Sequence, residues 1–279
     1  MIRILVDSAS DYTLEEIKQK HMEYVPITVS LNGSSYRDGV DASRGEMYEM
    51  LVSGKDFPKT SQPSPQEFLS IFEEVKAQGD EVICIMLSSA LSGTCQSAHL
   101  ARSMVDYDGI HIIDSLTATY PIRIMAEYAM ELRDGGMPAA EIVTKLQELR
   151  PRIRVAATLD TLEYLHRGGR LSAAAAAVGT LANLKPVVYL TDEGTVGVLA
   201  KCLGKIKAQK ALLDWVQEQP VDIAFPFYTI YSHGTENCEK LEEKLTAMGY
   251  TIDNRMQIGL SIGAHVGPGA AGVVYVAKA

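Results

Sequence analysis

The sequence predicts an α/β protein of two domains, the N-terminal one built around a mainly parallel sheet and the C-terminal one around a mixed sheet. Short apolar runs alternate with helix-compatible stretches along the chain, a pattern typical of strands that are joined by helices. The 279 residues suffice for two domains of ordinary size, and a hydrophobic content of 47 % supports a full core. Because Arg150-Pro151 interrupts a helical pattern, we assign residues 1–150 and 151–279 to the two domains.

The strands of the first domain are predicted from apolar runs. Residues 82–87 are continuously apolar, as in a strand that is buried on both faces. The dipeptide Asn32-Gly33 is a hairpin signal between two further strands. The strands predicted for this half of the chain are 2–6, 25–31, 35–40, 82–87 and 110–113.

The helices of the first domain are predicted from capping signals and composition. Capping boxes that begin at Thr13 and at Ser64 mark two helix starts. Before the second one, two prolines in residues 60–65 predict a rigid loop that holds Thr60 and Ser61. A short helix follows Thr13, and the others are predicted at 46–51, 66–78, 94–104, 117–132 and 138–149.

The second domain shows turn signals of its own. Asp192-Glu-Gly194 predicts a β-hairpin, and Gly168-Gly169 predict the end of a helix directly before Arg170. The predicted strands are 155–158, 185–190, 195–201, 227–232, 256–258 and 273–276. The predicted helices are 161–166, 172–181, 206–216 and 237–248.

The charge of the chain is unevenly distributed. The formal net charge of −9 argues against nucleic acid as a general partner. Residues 150–210 carry ten Lys and Arg against four Asp and Glu, so this segment is +6 and the remainder is −15. Two interpretations stay open for the positive segment: a solvated helix face, or a docking surface for an acidic partner.

The cysteines and the apolar stretches constrain the compartment. Four cysteines without a C-x-x-C pair suggest neither a zinc site nor a redox pair, so we expect reduced, structural cysteines and no metal. The N-terminal apolar run is too short for a signal peptide, and no stretch approaches the roughly 18 uncharged apolar residues of a membrane helix. We therefore expect a cytoplasmic protein without an integral membrane segment.

The turn between residues 87 and 94 is a candidate anion site. A strand, a tight turn and a helix leave the first helix amides pointing outward, where they favour an anion. Ser88, Ser89, Ser92 and Thr94 add hydroxyl donors, and Gly93 would allow a ligand to approach the backbone. The alternative is that Ser92 or Thr94 only caps the helix.

Two strands end in the same dipeptide, Asp-Ser. Asp7-Ser8 follows the first strand, and Asp114-Ser115 follows the strand at 110–113. Because carboxyl ends of parallel strands share one edge of a sheet, these residues are expected to gather with Ser92 around one crevice. The alternative is that each aspartate caps the helix that follows it.

The ordered set of short motifs resembles the DegV family of bacterial fatty-acid-binding proteins. Each motif is weak alone, but together they span nearly the whole chain. They are Asp7-Ser-Ala-Ser-Asp11, Thr60-Ser-Gln-Pro-Ser64, Ser88-Ser-Ala-Leu-Ser-Gly-Thr94, Asp114-Ser115, Leu162-Glu-Tyr-Leu-His-Arg-Gly-Gly-Arg170, Lys185-Pro186 and His265-Val-Gly-Pro-Gly269.

The resemblance implies a function and a site. It implies a non-enzymatic carrier in phospholipid metabolism that holds one long-chain fatty acid between its domains and needs no cofactor. The carrier presents the carboxylate to a separate fatty acid kinase, which makes an acyl phosphate. Thr60 and Ser92 match the carboxylate-binding hydroxyls, His265 matches a nearby histidine, and Arg170 matches an arginine implicated in kinase engagement. The predicted ligand-binding set is Thr60, Ser61, Ser92, Gly93, Thr94 and His265.

Two enzymatic alternatives would each require a motif in the sequence. Gly259-Leu-Ser-Ile-Gly263 matches the G-x-S-x-G pattern of a serine hydrolase, but no Asp or Glu follows Ser261 in the chain, as the hydrolase order requires. A phosphate- or nucleotide-binding enzyme would also use a helix N-terminus. Neither G-x-x-x-x-G-K-[ST] nor a G-x-G-x-x-G in a strand-to-helix context is present.

Overall fold

A computed structural model describes residues 1–54, 56–171 and 183–279. The helix predicted at 172–181 lies outside the described residues. Over the described ranges the helices are α1 (Leu14–Gln19), α2 (Arg44–Ser53), α3 (Pro65–Gln78), α4 (Thr94–Val105), α5 (Tyr120–Asp134), α6 (Ala139–Leu149), α7 (Glu163–Arg167), α8 (Lys205–Gln217), α9 (Glu236–Ala247) and α10 (Leu260–Val266). Short 3-10 turns cover Ser8–Ser10 and Arg150–Arg152.

The strands form three sheets. They are β1 (Ile2–Asp7), β2 (Glu23–Val25), β3 (Thr28–Leu31), β4 (Ser34–Arg37), β5 (Lys59–Ser61), β6 (Glu81–Met86), β7 (Ile110–Asp114), β8 (Ile153–Thr158), β9 (Leu184–Leu190), β10 (Val196–Leu203), β11 (Tyr228–Tyr231), β12 (Asn254–Gln257) and β13 (Ala271–Val276). The predicted fold class, with a parallel sheet followed by a mixed one, is confirmed.

The first domain is organised around a parallel sheet with the order β2-β1-β6-β7. Side chains alternate between its two faces, so Val82 and Cys84 pack with α3 and α4, whereas Ile83 and Ile85 pack with α5 and α6. The central strand β6 is therefore buried on both faces, as its continuous apolar sequence predicts.

The second domain is organised around a six-stranded sheet with the order β10-β9-β8-β13-β11-β12. Its pairs are antiparallel except for β11 and β12, which run parallel. One face packs on α8 and α9 through residues such as Leu212 and Leu241. The other face meets α5, where Tyr120 and Ile124 contact the sheet. Helix α5 thus packs against both domains.

A third sheet differs from the sequence-based expectation. The strand predicted at 25–31 is two strands divided at Pro26: β2 pairs with β1, whereas β3 pairs with β4 and β5. Proline lacks the backbone N–H that a continuous ladder needs, so the chain leaves the parallel sheet there. The loop predicted at 60–65 is also partly wrong, because Thr60 and Ser61 belong to the edge strand β5.

The predicted boundary falls within the 3-10 turn Arg150–Arg152, between α6 and β8. We keep the division into residues 1–150 and 151–279 as a proposal. The part of the chain that the structure describes contains no helix long and apolar enough to cross a bilayer.

Candidate functional site

A cavity lies at the junction of the two domains. Its first-domain wall includes residues that follow the carboxyl ends of parallel strands, such as Ile27, Leu87 and Ala118, and its second-domain wall includes Ala156 and Val188 from the mixed sheet. The cavity holds about 800 Å³ of unoccupied space, including the solvent at its opening. Because both domains contribute to the wall, a ligand held in this cavity would contact both.

The wall of the cavity is mainly apolar. Its remaining aliphatic and aromatic members are Leu91, Val155, Ala157, Leu165, Tyr189, Leu190, Val196, Ile230, Ile258, Ile262 and Val266. Its polar members are Thr60, Ser92, Thr119, Arg170, Ser261 and His265. The structure therefore brings four of the predicted site residues, Thr60, Ser92, Arg170 and His265, to one cavity.

Thr60 and His265 meet across the domain junction. Thr60 lies on β5 and His265 on α10, and the threonine Oγ1 is 2.8 Å from the imidazole Nε2. Burial lowers the pKa of His265 to about 4, and the nearby positive charge of Arg170 adds to this effect. The imidazole is therefore neutral at pH 7. Its other nitrogen, Nδ1, is buried without a hydrogen-bond partner among the described residues and faces Gly168.

The neutral histidine determines what Thr60 offers to a ligand. A neutral imidazole has one N–H donor and one acceptor nitrogen. When Nε2 carries the proton, it donates to Thr60 Oγ1 and leaves the threonine hydroxyl hydrogen for a ligand. When Nδ1 carries the proton, Thr60 donates to His265 instead. An anionic ligand at Thr60 therefore selects the Nε2-protonated form.

Ser92 lies in the turn before α4. Two aspartates stabilise this turn by accepting hydrogen bonds from its backbone amides. Asp7 accepts hydrogen bonds from the amides of Leu87, at 2.7 Å, and Ala9, and Asp114 accepts one from the amide of Ser89 at 3.1 Å. Asp7 is fully buried, and this burial raises its pKa to about 7. The two Asp-Ser strand ends thus gather at this sheet edge, but the aspartates fix the turn and are not part of the cavity wall.

Arg170 connects the turn that carries Ser92 with the segment beside the Thr60–His265 pair, and we call these four residues the polar end of the cavity. Its Nε donates to the carbonyl of Leu91 at 2.8 Å, directly before Ser92, and its Nη1 donates to the carbonyl of Gly168 at 2.5 Å. The side chain is half-buried, and this desolvation lowers its pKa, although an arginine remains charged at pH 7. Within the described ranges no carboxylate forms an ion pair with it. Arg170 therefore contributes a positively charged side chain to the cavity wall.

Three of the predicted ligand-binding residues do not line the cavity. Ser61 is exposed, as expected for a strand neighbour of the inward-facing Thr60. Thr94 is buried, and its Oγ1 lies 2.9 Å from Ser92 Oγ. The space above Gly93 is occupied by the side-chain amide of Gln62, whose Oε1 would lie 1.9 Å from a Cβ at that position.

The sequence reasoning missed the residues that hold α10. Asp38 accepts hydrogen bonds from the amides of Leu260 and Ser261, at 3.3 and 2.7 Å, and Asp11 accepts one from the amide of Gly259 at 2.8 Å. Both aspartates belong to the first domain and are buried. They cap the helix that carries His265. No local signal indicates this role, because the partners are more than 200 residues apart in the chain.

Ser261 is not a hydrolase nucleophile in this arrangement. Its hydroxyl donates to Asp38 and accepts from Ser8 at 2.7 Å, while the amide of Ile27 donates to Ser8 Oγ. A serine nucleophile needs a histidine base, but His265 bonds to Thr60 instead. The hydrolase alternative is therefore not favoured.

The fold and the site define a class of protein: a two-domain α/β protein that encloses an apolar cavity with hydroxyls and a neutral histidine at its polar end. The sequence model of the DegV family, described as a family of uncharacterised proteins, matches residues 1–278. The chain belongs to the DegV family, as its motifs predict.

Relatives and solved structures cover the full length. A DegV domain-containing protein of Caldanaerobacter subterraneus subsp. tengcongensis is 38 % identical over 279 residues, which is 99 % of each chain. A DegV family protein of Thermus thermophilus, described for its fatty acid binding, has a TM-score of 0.88 at 31 % identity over 99 % of each chain. A stearic-acid-binding protein of Eubacterium ventriosum has a TM-score of 0.85 at 29 % identity, over 100 % of this chain and 99 % of that one.

Proposed function

We propose that the protein binds one long-chain fatty acid in the cavity and presents its carboxylate to a separate fatty acid kinase for acyl-phosphate formation. It acts as a carrier without catalytic activity or cofactor of its own. The observation that carries this proposal is the composition of the cavity: an apolar wall with Thr60, Ser92 and His265 at one polar end. The fatty acid binding of the structural neighbours supports it.

The apolar wall supplies most of the affinity. For a chain of about 16 carbons, burial at roughly 0.8 kcal/mol per CH₂ gives a transfer free energy of about 12 kcal/mol before ordering and association costs. A hydrogen bond to a charged group contributes only about 1.5 to 3 kcal/mol. The tail therefore sets the affinity, whereas the hydroxyls of Thr60 and Ser92 orient the carboxylate.

The polar end suits a carboxylate that must later react. The hydroxyl donors of Thr60 and Ser92 can hold the anion without a buried ion pair. Such a carboxylate remains available to a phosphoryl group. Several cations of the positive segment are already paired within the chain, for example Arg152 with Asp222 and Lys185 with Asp160. We therefore place the kinase contact at Arg170, whose guanidinium is bonded only to backbone carbonyls in the described part of the chain.

The proposal is tested on the purified protein by mass spectrometry of its extracted ligand and by acyl-phosphate formation with a fatty acid kinase. A fatty acid is expected in the extract. Thr60→Ala and Ser92→Ala each remove one hydrogen bond, so each is expected to reduce acyl-phosphate formation by about tenfold, with a smaller loss of bound ligand. A double variant that supports normal acyl-phosphate formation would refute the carboxylate assignment, and a bound nucleotide would favour the phosphate-binding alternative.

A further inference from the structure

The side chain of Gln62 joins the two segments that supply the carboxylate-binding hydroxyls. Gln62 follows β5 and lies two residues after Thr60. Its Nε2 donates to Ser97 Oγ at 3.0 Å, and Ser97 is a buried residue in the first turn of α4, behind Ser92. Its amide also rests on Gly93, the residue next to Ser92.

The contacts of Gln62 with Ser97 and Gly93 connect residues 59–63 with residues 88–97. β5 is an edge strand that pairs with β3 on one side, and no strand of the described residues pairs with its other side. Among the residues that the structure describes, the bond from Gln62 to Ser97 is the one hydrogen bond between residues 59–63 and 88–97. This bond therefore contributes directly to the position of Thr60 relative to Ser92, beside the pairing of β5 with β3 and the bond from Thr60 to His265.

The side-chain amide of Gln62 packs directly against Gly93. Its φ of −77° and ψ of 11° are accessible to any L residue, so the backbone does not require glycine. A Cβ at this position, however, would lie 1.9 Å from Gln62 Oε1 and 2.5 Å from its Cδ. The missing side chain of Gly93 makes room for Gln62.

We infer that Gln62 is a positioning residue that fixes the spacing of the Thr60 and Ser92 hydroxyls and thereby the preference of the cavity for a carboxylate. The inference rests on the proposed fatty-acid site and deepens it. Gln62 affects binding of the carboxylate through Thr60 and Ser92, and it does not affect binding of the hydrocarbon tail.

The experiment compares a 16-carbon fatty acid with the 16-carbon alcohol, which has the same tail but no carboxylate. Affinities are measured by displacement of a fluorescent fatty acid from ligand-stripped protein, with thermal melts as a check on folding. Gln62→Ala is expected to reduce the preference for acid over alcohol by about tenfold, a part of what one charge-assisted hydrogen bond contributes, while alcohol affinity stays within about twofold. Gln62→Met keeps the side-chain length but loses the hydrogen bond, and is expected to behave like Gln62→Ala.

Gly93→Ala tests the role of Gln62 by a second, independent substitution. Its Cβ displaces the Gln62 amide, so it should reproduce the effect of Gln62→Ala, and the double variant should lose no more than either single variant. Gln96→Ala, at an exposed glutamine of α4, is the matched control and should leave the preference unchanged.

The outcomes separate this inference from the proposed function. An equal loss of affinity for acid and alcohol, an unchanged preference, or additive losses in the double variant would overturn the positioning role of Gln62 while leaving the carboxylate site intact. Equal binding of acid and alcohol by the wild-type protein would instead refute the carboxylate site, and the role of Gln62 with it.

Discussion

The buried histidine of the site makes a quantitative prediction about stability and pH. The pKa of His265 falls from 6.5 to about 4 in the folded protein. His265 therefore becomes protonated near pH 6.5 in the unfolded chain but only near pH 4 in the folded chain. Because the unfolded chain binds more protons between these pH values, the free energy of unfolding decreases as the pH falls from 6.5 to 4. Because His265 is only 7 % exposed, solvent screening is small. At about 1.4 kcal/mol per pH unit, the interval corresponds to about 3 kcal/mol.

The perturbation is His265→Gln, which removes the titrating group and keeps a polar side chain beside Thr60. At pH 7 the variant is expected to be less stable than the wild type, since the fit of the imidazole is lost. Between pH 6.5 and 4 this difference should shrink by about 3 kcal/mol, because only the wild type loses stability through His265. The comparison with a variant is necessary because burial raises the pKa of Asp7 to about 7 and that of Asp11 to about 6. Those two groups stabilise the folded protein as the pH falls, which opposes the effect of His265.

The assay is urea unfolding at half-unit steps from pH 4 to 7.5. Circular dichroism follows the whole chain, and the fluorescence of Trp215, the only tryptophan, follows the core of the second domain. His99→Gln is the matched control, since His99 is exposed on α4 and stays in water when the chain unfolds. Parallel stability curves for the wild type and His265→Gln across the window would refute the reasoning.

Two further predictions concern the partner and the absence of catalysis. Arg170→Ala should lower kinase turnover by about tenfold or more while the fatty-acid content and the melting temperature change little, and Arg170→Lys should restore turnover only in part because it lacks the planar fork; ligand loss or unfolding with intact kinase binding would favour a structural role for its bonds to Leu91 and Gly168. Ser261 should not be phosphonylated by a serine-directed phosphonate, because its hydroxyl is engaged by Asp38 and lacks a histidine base; a burst of labelling at Ser261 would contradict this.

The sequence could predict most of the fold because the relevant signals are local. Apolar runs, capping boxes and the Asn32-Gly33 turn lie within the elements that they specify, and the two main sheets were predicted from them. The third sheet was predicted only in part, because the Asn32-Gly33 signal indicated the pairing of β3 with β4 but not that of β3 with β5. Its strand β5 has three residues, too few for a periodic pattern, and Pro26 divides a run that reads as one strand.

The candidate site was predictable to a smaller extent. Thr60, Ser92, Arg170 and His265 came from short motifs, and they line one cavity. The family resemblance placed His265 near the Thr60 and Ser92 hydroxyls, but no local pattern could show its contact with Thr60, since their separation of 205 residues is closed by the docking of α10 on β5. The residues of the apolar wall could not be identified from the sequence either, because they come from many elements and resemble ordinary core positions.

The capping of α10 has a consequence for folding. The carboxylates of Asp11 and Asp38 belong to one half of the chain and the helix amides that they accept from belong to the other. Disrupting this contact while the groups stay buried would leave Asp38 without its amide donors, Asp11 with Thr119 but without the amide of Gly259, and the start of α10 without a cap. An unsatisfied buried group costs about 1 to 3 kcal/mol, or more when it is charged, so we expect the two halves to unfold as one cooperative unit.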